Sequence, residues 1–221
     1  YSPKLLANDR GRALYQAVTG QGIKTVQITD ALMRQIAGTE NPQGILAVAT
    51  MLQVDYRQIP VSDTALFVVV DRVQDPGNLG TIIRTADGAG STAVFLLPGT
   101  VDLYNLKTIR ATMGSLFNLP VIEVADPAAL FTWLQAQGVK VYLTALTGAQ
   151  LYDILDYTGP TAFVVGNEAN GIDRALQRYA NATVKLPLPG KAESLNVAIA
   201  TGILLYEALR QRHATYRDAK S

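Results

Sequence analysis

Cysteine is absent from the 221 residues, which removes disulfides and thiolate zinc sites. Histidine is almost absent as well. His213 stands alone near the C-terminal end, cannot build a histidine-rich metal site, and reads as an ordinary surface residue. An excess of charge of either sign is also missing. Nineteen basic residues against eighteen acidic ones leave a formal net charge of +1, so a strongly electrostatic binder is excluded and nucleic acid could be held only by a local patch. No apolar run is long enough to span a membrane. The opening YSPKLLANDRGR has no basic-then-apolar targeting pattern, and the expected location is cytoplasmic. The common phosphate-cradling loops are missing too: neither GNLG nor GNEANG spells G-x-G-x-x-G, and no Walker Lys-Ser/Thr pair occurs.

What is present is apolar residue in quantity, nearly half the chain, arranged in two unequal parts. Residues 1–52 suggest a helix around LLANDRGRALYQAV, a strand KTVQIT, a short helix DALMRQIA capped by Thr29 or Asp30, and a strand GILAVATM. This is a small α/β fragment with no opening strand. A polar linker, 53–64, follows. From residue 65 the rhythm is regular. The runs ALFVVVD, TAVFLLP, LPVIEVA, VKVYLTA, TAFVVG and ATVKLPL read as strands buried on both faces, alternating with helical segments up to a long final helix. That alternation predicts an α/β fold: a mostly parallel sheet with helices on both faces, over 65–221.

Ligands of such folds bind beyond the C-terminal ends of the strands, and three loops there carry polar residues. After FVVVD comes RVQDPGNLGTIIRTADGAG, in which Asn78 reads as a helix cap and Arg84 falls six residues later, off the apolar stripe of Leu79, Ile82, Ile83 and Ala86. The bland reading leaves Arg84 solvated. After TAFVVG, glycines at 166 and 171 bracket Glu168 and permit close backbone approach. Before the final helix, LPLPGKAESLNV places Ser194 and Asn196 either side of Leu195, with Ser194 read as a cap or first-turn residue. That helix has Leu195, Ala198, Ile199, Gly202, Ile203, Tyr206 and Leu209 on one side at helical spacing, suited to either core or interface.

Taken together, N-x-G with a following Arg, G-x-E-x-x-G after a buried strand, and L-P-L-x(5)-S-L-N-V before a terminal helix resemble the SpoU (TrmH-type) branch of the SPOUT RNA methyltransferases. The resemblance covers about residues 65–212, with ATMGSLFNLPV (111–121) similar to the segment between the family's first two motifs. Residues 1–52 resemble the latter part of a small RNA substrate-binding domain, with its opening missing, and are read as truncated.

The resemblance implies a C-terminal trefoil knot forming the cofactor pocket, and a homodimer through the knot region and final helix. It also implies methyl transfer from S-adenosylmethionine to a ribose 2′-hydroxyl of structured RNA. By the same resemblance the cofactor lies near Thr144, Gly166, Leu186 and Leu195, and Asn78, Arg84, Glu168, Ser194 and Asn196 form the catalytic set. Leu188 stands where many members carry Met. Arg84 matches the arginine often described as the base. A guanidinium rarely gives up its proton, so an orienting role that anchors the adjacent phosphate is the expectation. Lys107 with Arg110, and Arg210, Arg212, Arg217 and Lys220, read either as solvated helix faces or as phosphate contacts. Ribosomal RNA is the expected substrate, with tRNA the other candidate and no membrane partner. Two further readings stay open: a SPOUT enzyme methylating a base nitrogen, and a non-catalytic RNA-binding or assembly protein on the same fold. A nicotinamide-linked dehydrogenase lacks both the glycine fingerprint and an acid–base histidine.

Overall fold

The computed structural model describes residues 1–51, 54–146 and 149–218, with side chains as far as residue 213 in the last helix. The chain forms two compact units, Tyr1–Leu52 and Gln53–Ser221.

In the first unit, a 3₁₀ turn over Pro3–Ala7 leads into α1 (Asp9–Gly20), capped by the Asn8 side chain on Gly11 N–H at 2.8 Å. Gly11 is required there, because a Cβ would stand 1.7 Å from the Leu5 carbonyl oxygen. The helix α2 (Asp30–Ile36) is capped by Thr29, one of the two residues expected. The strands expected at KTVQIT and GILAVATM are not formed: among the described residues of this unit there is no strand. The backbone of the first segment meets Tyr1, whose amino group donates to Val26 O at 2.8 Å and whose carbonyl accepts from Ile28 N–H at 2.8 Å. Val26 is 61% and Val48 95% exposed. Alternating residues make a strand only where a neighbouring backbone accepts the ladder.

The second unit is built on a seven-stranded, wholly parallel sheet. Its strands are β1 (Leu66–Val70), β2 (Ala93–Leu96), β3 (Val121–Glu123), β4 (Lys140–Thr144), β5 (Gln150–Leu151), β6 (Thr161–Val165) and β7 (Ala182–Lys185). They lie in the order β3-β2-β1-β6-β4-β7-β5. The parallel sheet with helices on both faces is therefore as expected. The exposed two-residue β5 was not foreseen, being too short to carry a period. Side chains alternate between two cores. Leu66, Val68, Val70, Phe163 and Val165 face α3 (Pro76–Gly88) and α6 (Val197–Asp218). Phe67, Val69, Phe95, Ala162 and Val164 face α5 (Pro127–Ala136). Burial on both faces is what makes these strands continuous apolar runs.

Residues 53–64, expected as a linker, place Tyr56, Ile59 and Val61 against the second of these cores. Between β6 and β7, DRALQRYA is one of the segments expected as helical and forms a 3₁₀ turn over Arg174–Tyr179. Between β2 and β3 lies α4 (Leu106–Ala111), packed tightly on α3: a Cβ on Gly80 would meet Ala111 Cβ at 2.4 Å and Thr108 O at 2.7 Å. Among the described residues no helix is long and apolar enough to cross a membrane, and no cluster of metal-ligating side chains occurs.

The expected apolar side of α6 is divided. Ala198 is buried with Thr201, Leu204, Leu205 and Ala208, whereas Ile199, Ile203 and Tyr206 are exposed. A helix apolar on much of its circumference does not reveal by period alone which part turns inward.

Candidate active site

Because β6 lies between β1 and β4, with β7 beyond β4, the loops that leave β1, β4, β6 and β7 meet at one end of the sheet. A cavity of about 390 Å³ opens there, walled by Thr144, Gly166, Leu186 and Leu195, with Leu146 and Leu188 adding apolar surface and Glu168, Ser194 and Asn196 at its polar side. All four residues expected at the cofactor line this cavity. Gly166 allows the wall to close: a Cβ would lie 2.5 Å from Gly171 C and Ile172 N.

The post-β1 loop turns into α3 through Asp75, whose Oδ1 accepts from Asn78 N–H at 2.8 Å, with Pro76 at the first helical position. The cap is thus Asp75, not Asn78 as expected. That frees the Asn78 side chain. Its Nδ2 donates to Glu168 Oε1 at 2.9 Å, and its Oδ1 accepts from Asn196 Nδ2 at 2.9 Å. Asn196 in turn caps α6, its Oδ1 accepting from Ala198 N at 2.9 Å and Ile199 N at 3.3 Å. The capping role expected of Ser194 therefore belongs to Asn196. Ser194 makes no hydrogen bond among the described residues and stands in the cavity wall.

Three side chains, one from the first turn of α3 and two from the loops after β6 and β7, 90 and 118 residues apart in sequence, form one chain ending in a carboxylate. Partial burial pushes the Glu168 carboxyl up. Its hydrogen bonds from Asn78 and from the backbone N–H groups of its own residue, Gln74 and Asp75 outweigh this and hold it below the ordinary range. Asp75 is also held low, by the Asn78 N–H first and by Lys107, whose Nζ is 3.3 Å from Oδ2. Both groups are therefore anionic near neutrality.

Arg84 is not joined to this chain. It lies on the exposed side of α3, six residues and so about 9 Å along the helix from Asn78, outside the cavity wall and without a side-chain hydrogen bond among the described residues. Of the basic residues expected on RNA, Lys107 pairs with Asp75. Arg210 grips Glu207 through two bonds of 2.8 and 2.7 Å. Arg212 donates to the carbonyls of Thr64, Ala65, Tyr157 and Gly159. The arginine at 212 is a structural tie, a reading the sequence had not suggested. The Arg217 side chain and Lys220 lie outside the described residues.

Sequence reasoning also passed over Asn167. Its Oδ1 accepts from Ala169 N at 3.0 Å and Asn170 N at 2.9 Å, an Asx turn that shapes the Glu168 loop. The signal was the asparagine four residues before a glycine at φ 66°.

Residues 65–206 match the SpoU rRNA Methylase family. The chain is similar to the 23S rRNA (guanosine(2553)-2'-O)-methyltransferase RlmP of Bacillus subtilis, 42% identical over 185 residues that span 84% of this chain and 72% of the relative. Among solved structures it is similar to the SpoU methyltransferase AviRb from Streptomyces viridochromogenes in complex with the cofactor AdoMet: TM-score 0.86, 31% identity, covering 97% of this chain and 82% of the other. It is also similar to an AdoMet-bound rRNA methyltransferase from Sinorhizobium meliloti, with a TM-score of 0.83 and 38% identity over 90% of this chain and 76% of the other.

Proposed function

This chain belongs to the SpoU rRNA Methylase family, and on that premise we propose that it uses S-adenosylmethionine to methylate a ribose 2′-hydroxyl in RNA, ribosomal RNA being its substrate. The observation that carries the reading is the meeting of an apolar-walled cavity with the Asn196–Asn78–Glu168 chain at one end of the sheet. The named ribose 2′-O-methyltransferases among its relatives favour this over base-nitrogen methylation.

The residues present fit the cofactor. About 390 Å³ falls in the range of about 300–1,000 Å³ typical of small-molecule sites. Main-chain groups near Thr144, Gly166, Leu186 and Leu195 can hold a purine's polar edge among aliphatic side chains. When bound, S-adenosylmethionine supplies an electrophilic methyl group.

The chain's own residues then position the substrate. Asn78 uses both ends of its amide, so its plane is fixed by Glu168 and Asn196. The Ser194 hydroxyl, facing the cavity, can hydrogen-bond the bound RNA. Glu168, held as a weakly basic carboxylate, organises the loops rather than abstracting a proton. Arg84 anchors the phosphate next to the target ribose and orients the hydroxyl, a guanidinium fork being suited to phosphate, so the hydroxyl loses its proton late. Arg84→Lys should reduce the single-turnover rate by about tenfold or more with cofactor affinity unchanged, and full retention would remove any role for the guanidinium fork.

Four finer features complete the proposal. The loops that meet at the ends of β4, β6 and β7 support a trefoil knot. The exposed Ile199, Ile203 and Tyr206 support a homodimer through α6. The first unit is read as part of an RNA substrate-binding domain. A ribosomal substrate supports a cytoplasmic location. The deciding experiment is calorimetric titration with S-adenosylmethionine, beside NAD, followed by incubation with a 23S rRNA transcript and nucleoside analysis. A 2′-O-methylated nucleoside is expected. A methylated base would overturn the ribose assignment, and no binding by the folded protein would favour the non-catalytic reading.

A further inference from the structure

The two loops that carry Asn78 and Glu168 are joined by a second set of bonds behind the cavity. β1 and β6 pair up to Val70 and Val165, and the ladder ends with Asp71 N–H on Val165 O at 2.8 Å. Beyond this point nothing in the sheet keeps the loops together. Asp71, 3% exposed, accepts on Oδ2 from Asp173 N–H of the post-β6 loop at 2.7 Å. It also accepts Arg72 Nε and Nη2, each at 3.0 Å, on its two oxygens. Adjacent side chains on extended backbone point apart. Arg72 can fork onto its own neighbour because its backbone is left-handed, at φ 56°, a conformation that costs any residue with a Cβ.

The same turn aims the rest of Arg72. Its carbonyl accepts from Asn167 Nδ2 at 2.8 Å and its N–H donates to Thr100 Oγ1 at 3.1 Å. Residues of the post-β1, post-β2 and post-β6 loops are thereby gathered on one strained residue, which does not line the cavity. We propose that Arg72, seated on Asp71, is a positioning residue for the transfer site, a latch that holds the 166–173 loop so that Glu168 meets Asn78 and the Gly166–Gly171 wall keeps its shape. The inference rests on the methyltransferase reading for what the site does, not for how the loops are held.

Arg72→Gly is the test, because glycine takes this backbone conformation without penalty and removes the side chain alone: its fork on Asp71 and its Nη2 bond to Gly171 O at 3.5 Å. Hydrogen exchange should speed up by about tenfold or more in peptides covering 166–176, and stay unchanged in β1, β2 and β4. Single-turnover methylation of the rRNA transcript should fall by up to about a hundredfold. In a Glu168→Gln background the same change should add about twofold or less, as coupled residues do. Asp71→Asn should loosen the same peptides. Unchanged exchange at 166–176 overturns the latch, as does faster exchange across the whole sheet or full additivity with Glu168→Gln. If the wild-type protein binds no S-adenosylmethionine, the functional reading fails, while the exchange comparison still decides the latch.

Discussion

An amide at position 78 is a donor and an acceptor at once, and the site uses both ends. Asn78→Asp puts a second carboxylate where Nδ2 now meets Glu168 at 2.9 Å, and two like charges at that distance oppose one another. Turnover should fall about a hundredfold, more than for Asn78→Ala, as read from methyl incorporation; equal losses would show that the bridge is unimportant. Glu168 gives a pH signature. A carboxyl lower in the folded protein than in the unfolded chain adds stability above its unfolded value, about 4.3. That stability is lost as pH falls through the lower folded value. The acid limb of the melting curve should therefore be shallower in Glu168→Gln. An identical limb would mean that the carboxylate contributes nothing. At this scale the sequence was informative about residue type and less so about role. In the sequence Asn78 reads as the cap of α3, whereas Pro76, well placed at a first helical position, is the signal for Asp75 before it.

At the scale of elements, α6 is held at one end by Asn196 and further along by Arg212, which donates to four carbonyls at the entries to β1 and β6. Burial lowers its proton affinity, yet guanidinium stays charged. Arg212→Met keeps the aliphatic stem and leaves those carbonyls short of donors. It should cost about 2–3 kcal/mol in urea unfolding, with Arg212→Lys recovering little of it. A phosphate-binding residue would change RNA affinity and not stability. The β1–β4, β6 and β7 strands were legible as short apolar runs and the α3 stripe from its helical spacing. The strands expected in the first unit were not formed, because a period of two describes a face without supplying a partner.

For the whole molecule, the proposed dimer is the element most open to test. Ile199 is 55%, Ile203 36% and Tyr206 52% exposed on consecutive turns of α6, an apolar stripe that water does not favour. Ile199→Asp with Tyr206→Asp should shift sedimentation from dimer to monomer while leaving the far-ultraviolet spectrum unchanged. A wild-type monomer at working concentration would remove the proposal. Saturating S-adenosylmethionine, at about a hundred times its dissociation constant, should stabilise the fold by about 2.7 kcal/mol, seen as a rise in melting temperature absent with NAD.

The sequence alone determined the α/β class and the buried strands from residue 65 onward. These are read from apolar runs, helical spacing and turn chemistry among neighbours a few residues apart. Asn78, Arg84, Glu168, Ser194 and Asn196 stood out as a set only through the resemblance of their loops to a family. The tertiary structure decided that β6 inserts between β1 and β4, so that residues 90 and 118 apart share hydrogen bonds. It also decided that Asp75 and Asn196 cap while Asn78 bridges, that Arg212 ties strands, and that Arg72 turns back onto Asp71. Strand order and long-range bonding depend on how all the apolar faces are buried at once, and no local period carries that information.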